Sequence, residues 1–263
     1  MSSPGSLLEE FRRAIDDGGS EFDVAVLVAQ VIDEASRPSA LHASFDALIE
    51  PLSAHGDMNA ERLLSAFREL GFGAHRLSQV SFVHSDLAWV MENRQGIPIS
   101  LAVLLIEGAR RCGLTSTGIN FPGHFLVSLE DMLVDPLTMQ IVDPAELTSD
   151  KLHAGELQEL MQQATPRMFG LRMLNNLKAM HLSGQNFSAA LDVIDCQIAM
   201  CEGDAGLRAP LMFERGEVFE QLGAFSMARA AYARCVELTR SSEMRSEAQK
   251  RVDILQGRDE TLH

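Results

Sequence analysis

The stretch from Arg94 to Pro136, RQGIPISLAVLLIEGARRCGLTSTGINFPGHFLVSLEDMLVDP, decides the fold of this chain. It opens with a segment that is apolar almost all round, which is typical of a helix enclosed by other elements. Pro98 suits the first turn of such a helix, because an N–H there has no partner within the helix, and Gly113 suits its C-terminal end. We therefore predict a buried central helix over about 98–112.

Three β-prone segments follow this helix, at 115–121, 124–129 and 132–134. Pro122-Gly123 separates the first two, and Glu130-Asp131 separates the second from the third. Turns this short join neighbouring antiparallel strands. The sequence predicts a small antiparallel sheet in a mostly helical chain, which is the α+β class.

His124 opens the second segment, and the third segment leads directly into Asp135. A two-residue turn at Glu130-Asp131 makes Asp135 the diagonal neighbour of His124, whereas a turn one residue earlier places the two directly opposite each other. Both registers leave the two side chains on one face. A histidine and an aspartate arranged in this way behind a helix start are two parts of a Cys-His-Asp site.

Helical periodicity of apolar residues covers most of the remaining chain. Asp57 is predicted to cap the helix that follows it, and Pro51 to end the helix before it. The predicted helices besides the central one are 4–16, 21–35, 40–49, 58–70, 85–92, 147–163, 167–182 and 243–255.

Two C-terminal segments, 173–198 and 211–236, repeat one pattern of helix, glycine-containing turn, aromatic residue, small residue and helix. The corresponding residues are Gly184 and Gly223, Phe187 and Phe225, and Ala190 and Ala228. A small residue lets two helices approach closely, and the aromatic ring fills the wedge between them. This is the helix-turn-helix unit of tetratricopeptide repeats, whose period is about 34 residues. The extra residues here are predicted to form a loop at 203–210.

The formal net charge of −15 argues against nucleic acid as a partner, because phosphate binding needs a basic surface. A membrane is disfavoured as well, since the apolar run Leu101–Ile106 is far shorter than the ~20 residues that span a bilayer. The N-terminus has neither the basic nor the apolar region of a signal peptide. We expect a cytoplasmic protein with reduced cysteines, whose spacing fits no zinc site, and with no metal or cofactor.

Three motifs together resemble the SirB-type family, a largely uncharacterised family of bacterial proteins: GIPISLA at 96–102, NFPGHF at 120–125 and RMLNNLK at 172–178. That family joins a transglutaminase-like domain, which has a papain-like fold, to C-terminal tetratricopeptide repeats. The resemblance covers nearly the whole chain. It implies a first domain over 1–150, with its core at about 84–145, and a repeat domain over 151–263.

The resemblance also implies that the site is degenerate. Transglutaminase-like enzymes carry a cysteine at a helix start, and Pro98 occupies that position, while His124 and Asp135 match the other two members. A proline has no nucleophile. Ser100 is a candidate substitute, but it lies about 200° further around the helix, and we expect it to serve the backbone of the first turn instead.

We therefore expect a scaffold or regulatory protein without catalysis, whose helical repeats bind a protein partner. The alternative is a hydrolase or amide-modifying enzyme in which Asp135 orients His124 to activate water. A third interpretation is that the repeats bind no partner and only stabilise the first domain. The sequence leaves the oligomeric state, the partner and any substrate open.

Overall fold

The computed structural model describes residues 4–53, 58–74, 79–121, 123–143 and 161–261. The internal contacts of the chain divide it into two compact units. The first comprises Asp17–Met173, and the second comprises the N-terminal helix up to Asp16 together with the chain from Leu174 onward. The predicted domain boundary at residue 150 lies outside the described residues.

Helices account for most of the described chain. They are α1 (Pro4–Asp16), α2 (Glu21–Ile32), α3 (Pro38–Ser53), α4 (Ala60–Glu69), α5 (Leu87–Asn93), α6 (Pro98–Arg111), α7 (Pro166–Ser183), α8 (Phe187–Met200), α9 (Ala205–Gln221), α10 (Phe225–Leu238) and α11 (Ser242–Thr261). A short 3₁₀ helix, Phe82–Ser85, precedes α5.

The central helix α6 confirms the prediction of a buried helix that begins at Pro98. Every residue from Ile99 to Ala109 is buried. The helix packs against α2, α3, α4 and α5, and against two strands of the sheet. Its end is marked by Gly113, whose φ of 74° lies in the left-handed region that glycine adopts without strain.

Within the described residues, a five-stranded antiparallel sheet packs against α6. In the spatial order β4-β3-β2-β1-β5, it contains β1 (Ser116–Phe121), β2 (His124–Leu129), β3 (Met132–Asp135), β4 (Gln140–Ile141) and β5 (Gln162–Ala164). The three predicted strands and the mostly helical α+β class are confirmed. The helix predicted over 147–163 is wrong at its C-terminal end, because β5 pairs there with β1. Its part within 144–160 lies outside the described residues.

Two predicted helix ends also need correction. α3 continues through Pro51, since a proline in the last turn removes a single hydrogen bond from the helix. α4 is capped by Asn59, whose side-chain oxygen accepts the Arg62 N–H at 2.9 Å. Asp57, which lies outside the described residues, is therefore not the N-cap.

The second unit consists of helices joined by short turns, in which α9 packs against α8 and α10, and α10 packs against α11. The predicted loop at 203–210 is wrong, because α9 already begins at Ala205. The N-terminal helix α1 packs along α8 and so belongs to this unit, although the sequence placed residues 1–150 in one domain. The tetratricopeptide assignment of these helices stays a prediction.

Close packing between α9 and α10 explains the small residues of the second repeat. Ala228 is fully buried, and a Cβ atom on Gly216 would lie 2.6 Å from the ring of Tyr232. Such a distance is a clash, so only glycine fits at position 216 without movement of the tyrosine.

The corresponding helix of the first repeat contains a buried lysine, Lys178, which aligns with Gly216 when the register is set by Phe187 and Phe225 and with Glu217 when it is set by the two glycines. Lys178 is 8% exposed. Its Nζ donates to the carboxylate of Glu214 and, at 3.1 Å, to Oε1 of Gln197. A buried ammonium group needs such partners to offset the loss of water.

We predict that Lys178→Ala lowers the free energy of unfolding by about 2 kcal/mol, because Glu214 and Gln197 lose a buried partner. Lys250→Ala is the matched control, since Lys250 has a 67% exposed side chain and pairs with Glu247 on the same helix. The control should cost less than about 0.5 kcal/mol. Urea unfolding followed by circular dichroism measures both variants, and equal losses would contradict the buried role of Lys178.

Candidate functional site

The first turn of α6 is fastened to the preceding 3₁₀ helix through one backbone carbonyl. The oxygen of His84 accepts the Ile97 N–H at 3.2 Å and the Ser100 hydroxyl at 2.7 Å. Ser100 Oγ also lies 2.9 Å from the carbonyl oxygen of Ile97, which is the N-cap residue of α6. Position and orientation of this helix start are therefore fixed by hydrogen bonds to backbone carbonyls.

The helix start carries no accessible nucleophile. Pro98 is half-buried and has only ring carbons in its side chain. Ser100 is fully buried, and its hydroxyl donates to backbone carbonyls. A substrate cannot reach the serine oxygen in this arrangement, and the side chain serves the local backbone.

His124 opens β2 at the edge of a short turn and is exposed. It pairs with Phe121 on β1, and the two ring centroids lie 6.3 Å apart. Side chains alternate along a strand, so His124 shares a sheet face with Phe121 and Leu126. Ser116 lies on the other face, where its hydroxyl donates to the Ile106 carbonyl of α6 at 3.3 Å.

Asp135 ends β3, and its carboxylate is bound within the turn that follows. Its Oδ1 accepts the Leu137 N–H at 2.8 Å, and its Oδ2 accepts the Thr138 hydroxyl at 3.1 Å. The turn is bonded to α4, because Arg68 donates to the Met139 carbonyl at 2.8 Å. Asp135 thus shapes a turn that α4 holds in place.

The hairpin between β2 and β3 has the two-residue turn at Glu130-Asp131, because Leu129 pairs with Met132. This is the first of the two registers considered from the sequence, and it makes Asp135 the diagonal neighbour of His124. Diagonal neighbours stand roughly 7–8 Å apart at the backbone. Within the described residues, no hydrogen bond or ion pair joins His124 to Asp135 or to the first turn of α6.

Sequence reasoning missed His84, whose carbonyl and ring both hold the region before α6. The ring Nδ1 accepts the Ser81 N–H at 2.9 Å, and the ring meets Trp89 edge-on with centroids 5.1 Å apart. Burial lowers the pKa of His84, because the charged imidazolium would lose its hydration. The nearby tryptophan, the only one in the chain, was the available signal.

Arg172 in the RMLNNLK motif was singled out only as part of a resemblance. In the first unit, it donates to the side-chain oxygen of Asn120 on β1 and lies 5.2 Å from the ring centroid of Phe125 on β2. Burial lowers the pKa of Arg172. The guanidinium therefore joins the first half of α7 to the sheet.

Two findings on the described residues concern metal binding and membrane spanning. Among the residues that the structure describes, no three His, Cys, Asp or Glu side chains come together in a way that could hold a metal ion. None of the described helices is long and apolar enough to cross a membrane.

Three features occur together here: a buried helix start, a histidine that opens a strand and an aspartate that ends the next strand. This is the arrangement that the sequence resemblance predicts for a transglutaminase-like domain. Residues 25–175 match the sequence profile of the Transglutaminase-like superfamily. This match covers more than half of the chain, and the chain belongs to that superfamily.

Bacterial relatives are uncharacterised proteins of the UPF0162 group. The UPF0162 protein of Xylella fastidiosa strain 9a5c is 30% identical over 185 residues, which cover 65% of this chain and 64% of the relative. A UPF0162 protein of Pseudomonas aeruginosa is 28% identical over 195 residues, covering 65% and 68%. The chain thus spans less than two thirds of the Xylella relative.

Similarity also extends to a mouse protein, F-box only protein 21, which is 26% identical over 150 residues, or 51% of this chain and 24% of that protein. No solved structure matches the chain significantly. The SirB-type name and the tetratricopeptide part of the resemblance stay predictions.

We predict that Asp135→Ala lowers the free energy of unfolding by about 1–2 kcal/mol, because the Leu137 N–H and the Thr138 hydroxyl lose their acceptor. Asp135→Asn is the matched control, since its amide oxygen can still accept the Leu137 N–H, and it should recover about half of the loss. Thermal or urea unfolding measures both. Unchanged stability in Asp135→Ala would show that the turn does not depend on the carboxylate.

Proposed function

We propose that this chain is a non-catalytic member of the transglutaminase-like superfamily that acts as a scaffold or regulator, with its helical unit binding a protein partner. The observation that carries the proposal is the start of α6, where Pro98 replaces the nucleophile that the resemblance implies and Ser100 is buried with its hydroxyl bound to carbonyls. Covalent catalysis needs an accessible nucleophile beside a base.

The bonds of Asp135 support the same conclusion. In a catalytic dyad the carboxylate holds the imidazole in position. Here both carboxylate oxygens accept hydrogen bonds within their own turn, from Leu137 and Thr138. An exposed His124 without this partner has no fixed orientation toward a water or a substrate.

The surface of the second unit supports a binding role. Large apolar side chains that are more than a third exposed are found mainly there among the described residues: Leu182, Leu207, Leu222, Met227 and Ile254, against Val80, Val83 and Ile141 in the first unit. We propose that these exposed side chains belong to the surface that contacts the partner. We propose, on the sequence pattern, that these helices are tetratricopeptide-like repeats.

The proposal includes a cytoplasmic location. Cys112, Cys196, Cys201 and Cys235 form no disulfide bond with one another, and the last three are buried. Free thiols persist where the compartment is reducing. The acidic composition supports a protein partner over nucleic acid.

The experiment compares variants in a strain from which the gene has been deleted. We predict that His124→Ala complements the deletion as well as the wild-type chain does. Leu222→Glu combined with Met227→Glu should abolish complementation, because two charges replace exposed apolar side chains on the helical unit.

Circular dichroism and thermal unfolding of each purified variant provide the control for folding. Loss of complementation in a folded His124→Ala chain would overturn the proposal and favour the hydrolase or amide-modifying alternative. Full complementation by a folded Leu222→Glu/Met227→Glu chain would remove the helical unit from the binding role.

A further inference from the structure

The N-terminal helix α1 packs along α8, and most of its apolar side chains stay partly exposed there. Its apolar residues form a stripe at Leu7, Leu8, Phe11, Ala14 and Ile15, with the spacing of an amphipathic helix. Phe11 is fully buried, whereas the other four are only half-buried. A single aromatic side chain is thus the deep anchor of the helix.

The ion pair beside this anchor is weak. Arg12 donates to Glu202, just beyond α8, at 3.1 Å, and both side chains are exposed, at 40% and 56%. Water and salt screen such a pair, so it fixes orientation more than it adds affinity. The docking of α1 therefore depends mainly on Phe11.

The surface of α8 is apolar on more than one side. One apolar side of α8, including Ala190 and Ile194, packs with Val218 of α9. Val193, Cys196 and Met200 recur at a spacing of three and four residues on a different side of α8, and all are buried. Several helices cover these sides: α7 is joined to α8 through Gln197, which donates to Asn175 at 2.8 Å, and α1 packs along α8 as well.

The attachment of α1 allows it to leave. The helix has 13 residues, a length at which isolated helices are marginal in water. It is joined to α2 through Asp17, Gly18 and Gly19, and Gly18 has a φ of 72° with open space around it. Separation from α8 requires rotation about this short link and no change within the first unit.

We propose that α8 carries a docking site for an amphipathic helix, which α1 occupies in this structure and which a partner's helix takes over by displacing α1. The seated segment shows what the site recognises: an aromatic anchor, followed directly by an arginine that faces Glu202, on a helix with an apolar stripe. The partner is therefore a protein that presents a short amphipathic helix with an aromatic-arginine pair.

The test uses a fluorescently labelled peptide of residues 4–16 and the full-length chain. Phe11→Ala in the chain removes the anchor of its own helix and frees the site, so this variant should bind the peptide with a Kd of about 10–100 μM. The wild-type chain should bind the peptide at least about tenfold more weakly, because its tethered helix competes at an effective concentration of about 1 mM. A peptide that itself carries Phe11→Ala should lose about 30-fold or more in affinity.

Fluorescence anisotropy gives the affinities, and circular dichroism shows whether the Phe11→Ala chain keeps its fold. A folded Phe11→Ala chain that does not bind the peptide would overturn the proposal. Loss of the fold in this variant would overturn it too, because α1 would then be an integral part of the unit and no displaceable occupant.

A second measurement avoids changing the anchor. A protease site inserted between Gly18 and Gly19 of the full chain allows α1 to be cut free after folding. Gel filtration at about 1 μM should then separate the released helix from a folded remainder, since the tether no longer holds it. Co-elution, or unfolding of the remainder, would contradict the proposal.

This inference rests on the proposed protein-binding role for its biological meaning, yet the two can fail separately. Peptide exchange involves no external partner and no gene deletion. If the peptide does not exchange, the complementation result for the non-catalytic role is unaffected. If His124 proves catalytic, the peptide-binding result for the docking site is unaffected.

Discussion

The burial of α6 from Ile99 to Ala109 is the constraint on which the first unit depends. An apolar helix without a solvated face needs neighbours on all sides, and here four helices and a sheet supply them. Burial also means that polar groups in its first turn must find protein partners. The carbonyl of His84 meets this need for Ile97 and Ser100 together. The same requirement that stabilises the helix thus removes Ser100 from chemistry.

The sheet places the remaining site residues by a similar logic. The hairpin register brings His124 and Asp135 to one face of the sheet. The chain turns back directly after β3, however, and the Asp135 carboxylate accepts its hydrogen bonds from that turn. Arg68 of α4 donates a hydrogen bond to the Met139 carbonyl and so fixes this turn. An arrangement that serves catalysis in an enzyme can therefore be maintained for structural reasons, since fold ancestry does not carry activity with it.

Much of this could be predicted because the signals are local. The limits of α6 follow from Pro98 and Gly113, and the three central strands follow from adjacent turns. β5 could not be predicted, since its partner β1 is more than 40 residues away in sequence and the short segment has no strand pattern of its own. The packing of α1 on α8 was missed for the same reason.

At the site, the sequence predicted that His124 and Asp135 share a face of the sheet, but it did not predict the hydrogen bonds that Asp135 accepts. Asp135 is followed by Pro-Leu-Thr, and an aspartate before a turn often binds its own backbone, so a signal for this was present. A double-mutant cycle with His124→Ala and Asp135→Ala, measured by urea unfolding, tests directly whether the two residues act as a pair. The account predicts losses that add within about 0.5 kcal/mol. A coupling free energy above about 1 kcal/mol would contradict it and restore the dyad.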